Sequence, residues 1–303
     1  MILKRILALL LALSVLFAVV ACGAKETPDD TEEQPGDDNT QEQQNQNTET
    51  APVLTFSVMS YNTQNAGESR GNEPTHEAKY QKLAAMLSLK NPDIIALQEC
   101  ARDDVANEIR KKMTKKDDYR VITGSSGSHT ALLYNQNAFK KVSSGCQQIG
   151  TKGDETGTAY DRYMLWAKLR SLETGTEFVV VSVHVDYVTE ACLAQLQKIV
   201  DYLKENHAGT SAILMGDFNA TQSVINRSAV VSERYLNVSA SATSAKNKVQ
   251  DTFPSGGTVI DYIYFKSAVS FKGLKAQYYE VVMQDDQNPS DHRPIYGEFS
   301  FGK

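Results

Sequence analysis

Residues 212–219 read Ala-Ile-Leu-Met-Gly-Asp-Phe-Asn, and they give the strongest single indication of the architecture. The first four residues are apolar and lie between polar segments, which predicts a short buried strand over residues 212–215. Asp217 and Asn219 follow almost at once, so two side chains that can bind a metal ion or move a proton stand at the strand end. Because a strand holds such groups more rigidly than a loop does, this pattern is typical of a functional site.

The same pattern recurs at five other places along the chain. In each of them, an apolar run that predicts a strand adjoins a polar or charged residue. These residues are Asn62, Glu99, His184, Asp261 and the pair Asp291 and His292, which stands just before the final predicted strand. One polar residue at a strand end usually caps backbone groups or faces water, so a single instance would carry little weight. Six instances indicate that the strand ends meet at a shared site.

The alternation of short apolar runs with amphipathic segments predicts an α/β fold of the α+β type. Several predicted strands follow one another with no helix between them, which argues against a purely parallel sheet. We expect two mostly antiparallel sheets packed face to face, with helices outside. The predicted strands cover residues 53–61, 93–98, 119–123, 130–134, 164–169, 178–183, 212–215, 260–265 and 294–299, and the predicted helices cover residues 78–89, 105–115 and 190–204. Residues 221–258 have weak periodicity and predict a loop with one short helix.

Residues 1–21 have the pattern of an export signal. Lys4 and Arg5 precede an apolar run of about 15 residues, shorter than the roughly 20 residues that a membrane-spanning helix needs. Val-Val-Ala-Cys at residues 19–22 resembles a bacterial lipobox, which implies cleavage before Cys22 and a lipid on its sulfur. A plain secretory signal with a chance cysteine is the alternative. A lipid anchor would place the protein on the extracytoplasmic face of the cell membrane.

Residues 22–52 predict a lipidated and disordered tether, and residues 53–303 predict one folded domain. The tether holds nine acidic residues and one base, with almost nothing apolar to bury, so it should stay extended and solvated. The whole chain has 31 bases and 37 acids; the signal takes two bases and the tether one base and nine acids, which leaves 28 of each for the domain. This neutral balance counts against a broad basic surface for long nucleic acids.

The residue types at the strand ends suit metal-assisted hydrolysis, because hard divalent cations prefer carboxylate and amide oxygens. The oxygen donors are Asn62, Glu99 and Asp291, the residues that could hold an attacking water or a second ion are Asp217 and Asn219, and the acid and base groups are His184, Asp261 and His292. The sequence has neither Gly-x-Ser-x-Gly nor His-Glu-x-x-His, so serine acyl transfer and zinc proteolysis have no support.

Six short motifs carry a resemblance to a known family. They are Tyr61-Asn62, Leu97-Gln98-Glu99, Ser182-Val183-His184, Gly216-Asp217-Phe218-Asn219, Ile260-Asp261-Tyr262 and Ser290-Asp291-His292. Together they resemble the signature blocks of the endonuclease/exonuclease/phosphatase superfamily, in the family's order and across residues 54–299. Gly-Asp-Phe-Asn and Ser-Asp-His are specific as a pair and weak separately. The resemblance implies a four-layer α/β/β/α sandwich with the active site at one edge.

The same resemblance implies a role for each motif residue in metal and water binding. Glu99 would be the principal Mg2+ ligand with Asn62 beside it, and Asp291 would be a further carboxylate of the metal site. Asp217 would orient or deprotonate the attacking water, and Asn219 would be its partner on the phosphate. Mg2+ is the expected cofactor, with Mn2+ or Ca2+ as alternatives.

The remaining expected roles concern the phosphate and the leaving group. His292 would contact the scissile phosphate, with Asp261 fixing its tautomer, and His184 would stabilise or protonate the leaving group. Arg162 resembles a phosphate-contacting arginine of the deoxyribonuclease branch, with a surface salt bridge as the alternative interpretation. Asp186, two residues after His184, could add an acidic group on the same strand face.

These features together predict a monomeric, metal-dependent hydrolase of phosphate esters that is bound to a membrane through its lipid. A phosphodiesterase is expected, and nucleic acid would make it a nuclease. The alternatives are a sphingomyelinase-like lipid phosphodiesterase acting on a phospholipid, and a phosphomonoesterase acting on a small phosphorylated molecule. A non-catalytic binding lipoprotein is less favoured, because all six motifs are intact.

Overall fold

Two mixed β-sheets packed face to face form the centre of the protein in the computed structural model. The structure describes residues 53–68, 76–268, 273–283 and 288–302. The export signal, Cys22 and the acidic tether lie outside the described residues, so what was predicted for them stays a prediction. None of the described helices combines the length and the apolar character that crossing a bilayer requires.

The strands are numbered along the chain. Within the described residues they are β1 (Leu54–Ala66), β2 (Ile94–Cys100), β3 (Tyr119–Thr123), β4 (Thr130–Asn135), β5 (Phe139–Gly150), β6 (Arg162–Ser171), β7 (Glu177–His184), β8 (Ser211–Asp217), β9 (Leu236–Asn237), β10 (Ser244–Lys246), β11 (Asp261–Lys266), β12 (Leu274–Val281) and β13 (Ile295–Phe301). One sheet has the order β10-β12-β13-β1-β2-β4-β3, and the other has the order β5-β6-β7-β8-β11-β9. Neighbours are antiparallel except at β1–β2, β10–β12 and β7–β8.

Helices cover the outer faces of both sheets, and one short helix contributes Val238 to the core between the sheets. They are α1 (His76–Ser88), α2 (Val105–Lys112), α3 (Thr189–Asn206), α4 (Gln222–Ile225), α5 (Ala229–Ser232) and α6 (Val238–Ser241), with single 3-10 turns at Lys116–Asp118 and Pro254–Gly256. The helices α1 and α2 share an apolar cluster with the seven-stranded sheet, and α3 shares another with the six-stranded sheet. The predicted fold class, a four-layer sandwich of mostly antiparallel sheets, is confirmed.

The central strands are apolar throughout because both of their faces are buried. On β2, Ile94 and Ala96 belong to the core between the sheets, whereas Ile95 and Leu97 pack towards the helices on the outer face. Phe56 of β1 stacks across the core on Phe178 of β7, with ring centroids 4.8 Å apart. Each such buried side chain contributes about 1.5–3 kcal/mol to folding. An uninterrupted apolar run is therefore what this architecture requires of its inner strands.

Some elements differ from the sequence-based expectation. The strands β5 and β12 were not predicted; β5 lies at a sheet edge, and most of its residues are exposed or half-buried, so its sequence has no apolar alternation. Residues 221–258 form three short helices, two short strands and a 3-10 turn rather than one helix in a loop. The helix α2 ends at Lys112, three residues before its predicted end, because Met113 adopts an extended conformation.

A buried ion pair stabilises the outer edge of the first sheet, away from the strand ends described below. The carboxylate of Glu280 on β12 is almost wholly buried, with Lys90 Nζ 2.6 Å from Oε2, to which the hydroxyl of Tyr278 also donates at 2.7 Å. Burial acts to raise the pKa of Glu280, but the Lys90 ammonium and the Tyr278 hydroxyl outweigh it and hold that pKa below its usual value.

Candidate active site

Several strand ends meet at one edge of the two sheets and bring the predicted site residues together. The parallel pair β1–β2 places Asn62 opposite Gln98, the residue before Glu99, and the parallel pair β7–β8 aligns His184 with Asp217. β11 runs antiparallel to β8, and its first residue, Asp261, lies opposite Asp217. A hydrogen bond of 2.9 Å from Asn62 Nδ2 to Asp217 Oδ2 joins the two sheets at this edge.

Gly216 allows β8 to approach β7 closely enough for this arrangement. Its φ is +155°, and a Cβ atom at this position would lie 1.9 Å from the carbonyl oxygen of Val183. Only glycine fits where another backbone comes so near. The glycine of the Gly-Asp-Phe-Asn motif therefore sets the distance between the ends of β7 and β8, and with it the position of Asp217 relative to His184.

The side-chain amide of Asn62 holds two carboxylates side by side. Its Nδ2 donates to Glu99 Oε1 at 3.0 Å and to Asp217 Oδ2 at 2.9 Å, and its Oδ1 accepts the backbone N–H of Gln64 at 2.9 Å. The second oxygen of Glu99 accepts the backbone N–H of Asn65 at 2.9 Å. In this arrangement Asn62 positions the carboxylates. To act as a metal ligand, the side-chain amide of Asn62 would have to rotate so that Oδ1 instead of Nδ2 faces the carboxylates. That role stays a prediction.

His292 stands between two buried carboxylates. Its Nδ1 lies 2.9 Å from Asp261 Oδ2, and its Nε2 lies 3.7 Å from Asp217 Oδ2. The hydroxyl of Ser290 accepts the backbone N–H of His292 at 3.1 Å and donates to the backbone carbonyl of Asn62 at 2.7 Å, which ties this segment to β1. The bond to Asp261 places a hydrogen on Nδ1 and leaves Nε2 facing the site.

Burial and charge shift the ionisation of this group strongly. Burial acts against the charged imidazole of His292, but the carboxylates of Asp261, Asp217 and Asp291 outweigh it and raise the pKa of His292 to about 10. Burial, with the Asp261 carboxylate as the next cause, raises the pKa of Asp217 to about 7, although His292 acts in the opposite direction. Groups with displaced pKa values that lie in contact with each other are typical of catalytic centres.

His184 faces the same carboxylates from β7. Its Nε2 lies 3.5 Å from Asp217 Oδ2 and 3.9 Å from Glu99 Oε1. Burial lowers the pKa of His184 well below its usual value, and the positive charge of Arg162 acts in the same direction. A neutral imidazole at this position can donate or accept a hydrogen bond without adding a charge.

Four of the predicted residues, Glu99, Arg162, His184 and Asn219, line a cavity of about 620 Å³. Eight described residues other than glycine have positive φ, and four of them line this cavity: Asn65 (49°), Glu99 (57°), His129 (51°) and Asn219 (46°). The backbone N–H of Asn219 donates to Asp217 Oδ1 at 2.8 Å. Such backbone conformations cost free energy and concentrate at functional sites, where the surrounding structure holds them.

Arg162 lies in the cavity wall beside a buried carboxylate. Its Nε is 3.6 Å from Asp186 Oδ2 and makes no hydrogen bond within the described part of the chain. Asp186 is wholly buried and accepts the backbone N–H groups of Ala159 at 2.9 Å, Tyr160 at 3.3 Å and Val188 at 3.0 Å. The arginine is therefore part of a buried pair rather than a surface salt bridge, and Asp186 shapes the loops instead of joining the carboxylate group.

The donor set fits a hard divalent cation. Two groups of side chains have ligand atoms that all lie within 4.8 Å of one another: Glu99, His184 and Asp217, and Asp217, Asp261 and His292. Carboxylates this close repel each other unless a cation or a proton lies between them, and their oxygens are the ligands that Mg2+ prefers. Because His292 and Asp261 already bond to each other, the group around Glu99 fits a metal ion better.

The eight candidate residues of the six motifs, and Arg162, lie at or beside this edge. Asp291 stands at its rim, with its side chain 37% exposed and Oδ1 3.9 Å from His292 Nε2. The sequence did not assign Asn65, His129, Tyr160 or Tyr187, which also line the cavity. His129 lies in a Gly/Ser-rich loop after β3, and this composition was the available signal; the others carry no motif.

Comparison with known proteins identifies the family and the fold. A profile of the Endonuclease/Exonuclease/phosphatase family matches residues 59–292. No curated protein matches the sequence. An endonuclease/exonuclease/phosphatase family protein from Bacteroides thetaiotaomicron has a similar structure, with a TM-score of 0.69 and 20% identity over 83% of this chain and 100% of that one.

Two further solved structures share the fold at low identity. A mannosyl-6-phosphatase from Bacteroides thetaiotaomicron VPI-5482 has a TM-score of 0.66 and 21% identity, over 80% of this chain and 99% of its own. TDP2 from D. rerio, complexed with a single-strand DNA product, has a TM-score of 0.61 and 18% identity, over 81% of this chain and 98% of its own. Enzymes of this family are metal-dependent hydrolases of phosphate esters. Because the family match spans more than half of the sequence, the protein belongs to the endonuclease/exonuclease/phosphatase family.

Proposed function

We propose that this protein is a metal-dependent phosphoesterase that a lipid on Cys22 holds at the extracytoplasmic face of the cell membrane. The observation that carries the enzymatic part is the convergence of Glu99, His184 and Asp217 from three strand ends, with ligand atoms within 4.8 Å of one another. Two of these side chains, Glu99 and His184, line an open cavity that a substrate can enter.

Glu99 is the proposed principal ligand of the metal ion, with Asp217 and Asp291 as the other carboxylates of the site. Mg2+ is the expected ion, because oxygen donors dominate, and Mn2+ or Ca2+ are alternatives. When bound, the cation would polarise a phosphoryl oxygen and offset the negative charge of the carboxylates.

The side chains of the site can then divide the work of hydrolysis. Asp217 would accept a proton from the attacking water, while His292, held by Asp261, and the neutral His184 would hydrogen-bond to phosphoryl oxygens. Arg162, which has a free Nε hydrogen within the described residues, adds positive charge from the cavity wall. The water oxygen forms a bond to phosphorus, the bond to the leaving oxygen breaks, and the leaving oxygen takes a proton from solvent.

An assay with activated esters tests this proposal. The full-length protein in detergent should hydrolyse bis-p-nitrophenyl phosphate or p-nitrophenyl phosphate with Mg2+ or Mn2+, lose that activity with a chelator, and regain it when metal is restored. Asp217→Asn should lower kcat by about 10²–10⁴. Asp201→Asn, which removes a carboxylate from the outer face of α3, is the matched control and should leave kcat unchanged. Metal-independent hydrolysis, or none of either ester, would contradict the proposal.

The anchoring is tested separately. The proposal that Cys22 carries a lipid rests on the Val-Val-Ala-Cys motif at residues 19–22. Cells fed a labelled fatty acid should incorporate it into the wild-type protein, which should fractionate with membranes. Cys22→Ser should lose both the label and the membrane association, whereas Cys146→Ser, a half-buried cysteine of β5, should lose neither. Labelling that survives Cys22→Ser would refute the anchor.

A further inference from the structure

Two exposed tyrosines stand at the mouth of the candidate active site. The exposed fraction is 57% for Tyr160 and 59% for Tyr187, and their rings lie edge to face with centroids 6.5 Å apart. Among the large hydrophobic side chains that are exposed in the described part of the chain, these two line the cavity and the rest do not. Exposed aromatic rings beside a polar cavity indicate a binding surface, because burying their apolar faces under a ligand is favourable in free energy.

One buried carboxylate holds both tyrosines in place. Asp186 Oδ2 accepts the backbone N–H of Tyr160, and Asp186 Oδ1 accepts the backbone N–H of Val188, the residue that follows Tyr187. The guanidinium of Arg162 lies over the Tyr160 ring, 5.3 Å from its centroid. The aromatic pair is therefore preorganised relative to the arginine in the cavity wall, which reduces the entropy that a ligand would have to offset.

The charges around the cavity favour a ligand with one phosphate over a polyanion. Lys152 and Arg162 are the bases of the lining; of its acids, Glu99 is the proposed metal ligand, whereas Glu68 and Asp161 are exposed carboxylates. A nucleic acid strand would bring further phosphates against the acids at the rim, at an electrostatic cost. Carboxylates at that rim are instead suited to accept hydrogen bonds from hydroxyl groups. The volume of about 620 Å³ is that of a small-molecule site.

We propose that Tyr160 and Tyr187 form a subsite for the ring of a phosphorylated sugar, so that the substrate is a small sugar phosphomonoester. The apolar C–H face of the ring would pack on the tyrosines, its hydroxyls would bond to the polar rim, and its phosphate would reach Arg162 and His184. Hydrolysis breaks the bond from phosphorus to the sugar oxygen and releases the free sugar and inorganic phosphate, with water supplying the new phosphate oxygen. This inference rests on the proposed phosphoesterase activity.

The test compares substrates with and without a ring. Phosphate release by the full-length protein with Mg2+ would be measured on glucose 6-phosphate, mannose 6-phosphate and the ringless glycerol 3-phosphate. Tyr187→Ala and Tyr160→Leu should each lower kcat/KM for a hexose phosphate about tenfold more than for glycerol 3-phosphate, which corresponds to about 1.4 kcal/mol. Leu172→Ala removes a similarly exposed side chain outside the cavity and should change neither.

Comparing the two kinds of ester also separates the subsite from a general effect on the phosphate. If the loss of the Tyr160 ring displaced the guanidinium of Arg162, kcat/KM would fall equally for all phosphomonoesters. Loss of a ring subsite should instead lower kcat/KM selectively for the hexose phosphates. Calorimetry with the metal-free protein should show that the variants weaken the binding of mannose 6-phosphate more than the binding of glycerol 3-phosphate. Equal effects of the variants on ringed and ringless substrates would overturn the inference, as would a higher kcat/KM for a single-stranded oligonucleotide than for either hexose phosphate.

Failure of the two proposals can be told apart. If p-nitrophenyl esters are hydrolysed and the tyrosine variants do not separate the substrates, the sugar subsite is wrong and the phosphoesterase proposal stands. If no ester is hydrolysed in the presence of metal, both proposals are wrong.

Discussion

Replacing Gly216 by alanine tests how closely the strand ends must approach. A Cβ atom there would lie 1.9 Å from Val183 O, whereas real Cβ contacts essentially never fall below 3.0 Å, so the two strands must move apart by at least the difference, about 1.1 Å. Alanine also rarely adopts the φ of +155° found here. Overpacking and backbone strain each cost about 1–3 kcal/mol, so we expect the free energy of unfolding to fall by about 2–4 kcal/mol.

The same displacement should reduce activity. Asp217 directly follows Gly216 and pairs with His184 across the two strands that must separate. A shift of about 1 Å in a catalytic group can cost on the order of 10²-fold in rate, because the reacting atoms leave their productive geometry. We therefore expect kcat/KM on bis-p-nitrophenyl phosphate to fall about 100-fold at saturating metal.

Urea unfolding followed by circular dichroism measures the first effect, and steady-state kinetics measures the second. Gly209→Ala is the matched control, since Gly209 has a φ of +71° and a Cβ atom added there would meet nothing within 4 Å beyond its chain neighbours. It should lose only about 1 kcal/mol of stability and keep full activity. A Gly216→Ala protein within about 0.5 kcal/mol of wild-type stability and within about threefold of its activity would refute the reasoning.

Two further predictions concern buried charges. Asp186→Asn removes the countercharge of Arg162 and turns one accepting oxygen into a donor facing a backbone N–H, so urea unfolding should show a loss of about 2–4 kcal/mol; a loss below about 0.5 kcal/mol would contradict this. The pKa of Glu280 is held low in the folded protein, so its pairing with Lys90 stabilises the fold above the usual glutamate pKa and is lost as the pH falls through the lower, folded-state value. The stability difference between wild type and Glu280→Gln should therefore shrink between about pH 6 and about pH 3, and a difference that is constant over this range would exclude the linkage.

The inner strands could be predicted because burial on both faces requires a continuous run of apolar residues, which is visible in the local sequence. β2 and β8 are continuous apolar runs, and each is flanked by polar residues that mark its ends. β5 has no continuous apolar run, because it pairs only with β6 and most of its side chains are exposed or half-buried. A register set by pairing rather than by burial is not written in the apolar pattern of the strand itself.

The candidate site divides in the same way. Glu99, Asp217 and His292 could be named from the sequence, because each sits in a short motif at the end of an apolar run. The sequence identified Asp186 as a candidate but predicted the wrong position for it. If the strand continued past His184, Asp186 would lie on the same face, beside the carboxylates. The strand ends at His184 in the structure, and Asp186 turns to bond the loops that carry the tyrosines.

The sequence by itself determined which chemistry is available: the oxygen and imidazole groups, the strands that carry them, and a domain with no net charge. Tertiary structure alone decided that Asn62 donates to carboxylates from both sheets, that Arg162 is paired below the surface, and that Tyr160 and Tyr187 meet at one cavity mouth. The physical reason is the distance along the chain between the residues that interact. Hydrophobic periodicity and motifs act over a few neighbouring residues, whereas these contacts join segments that only the packing of the two sheets brings together.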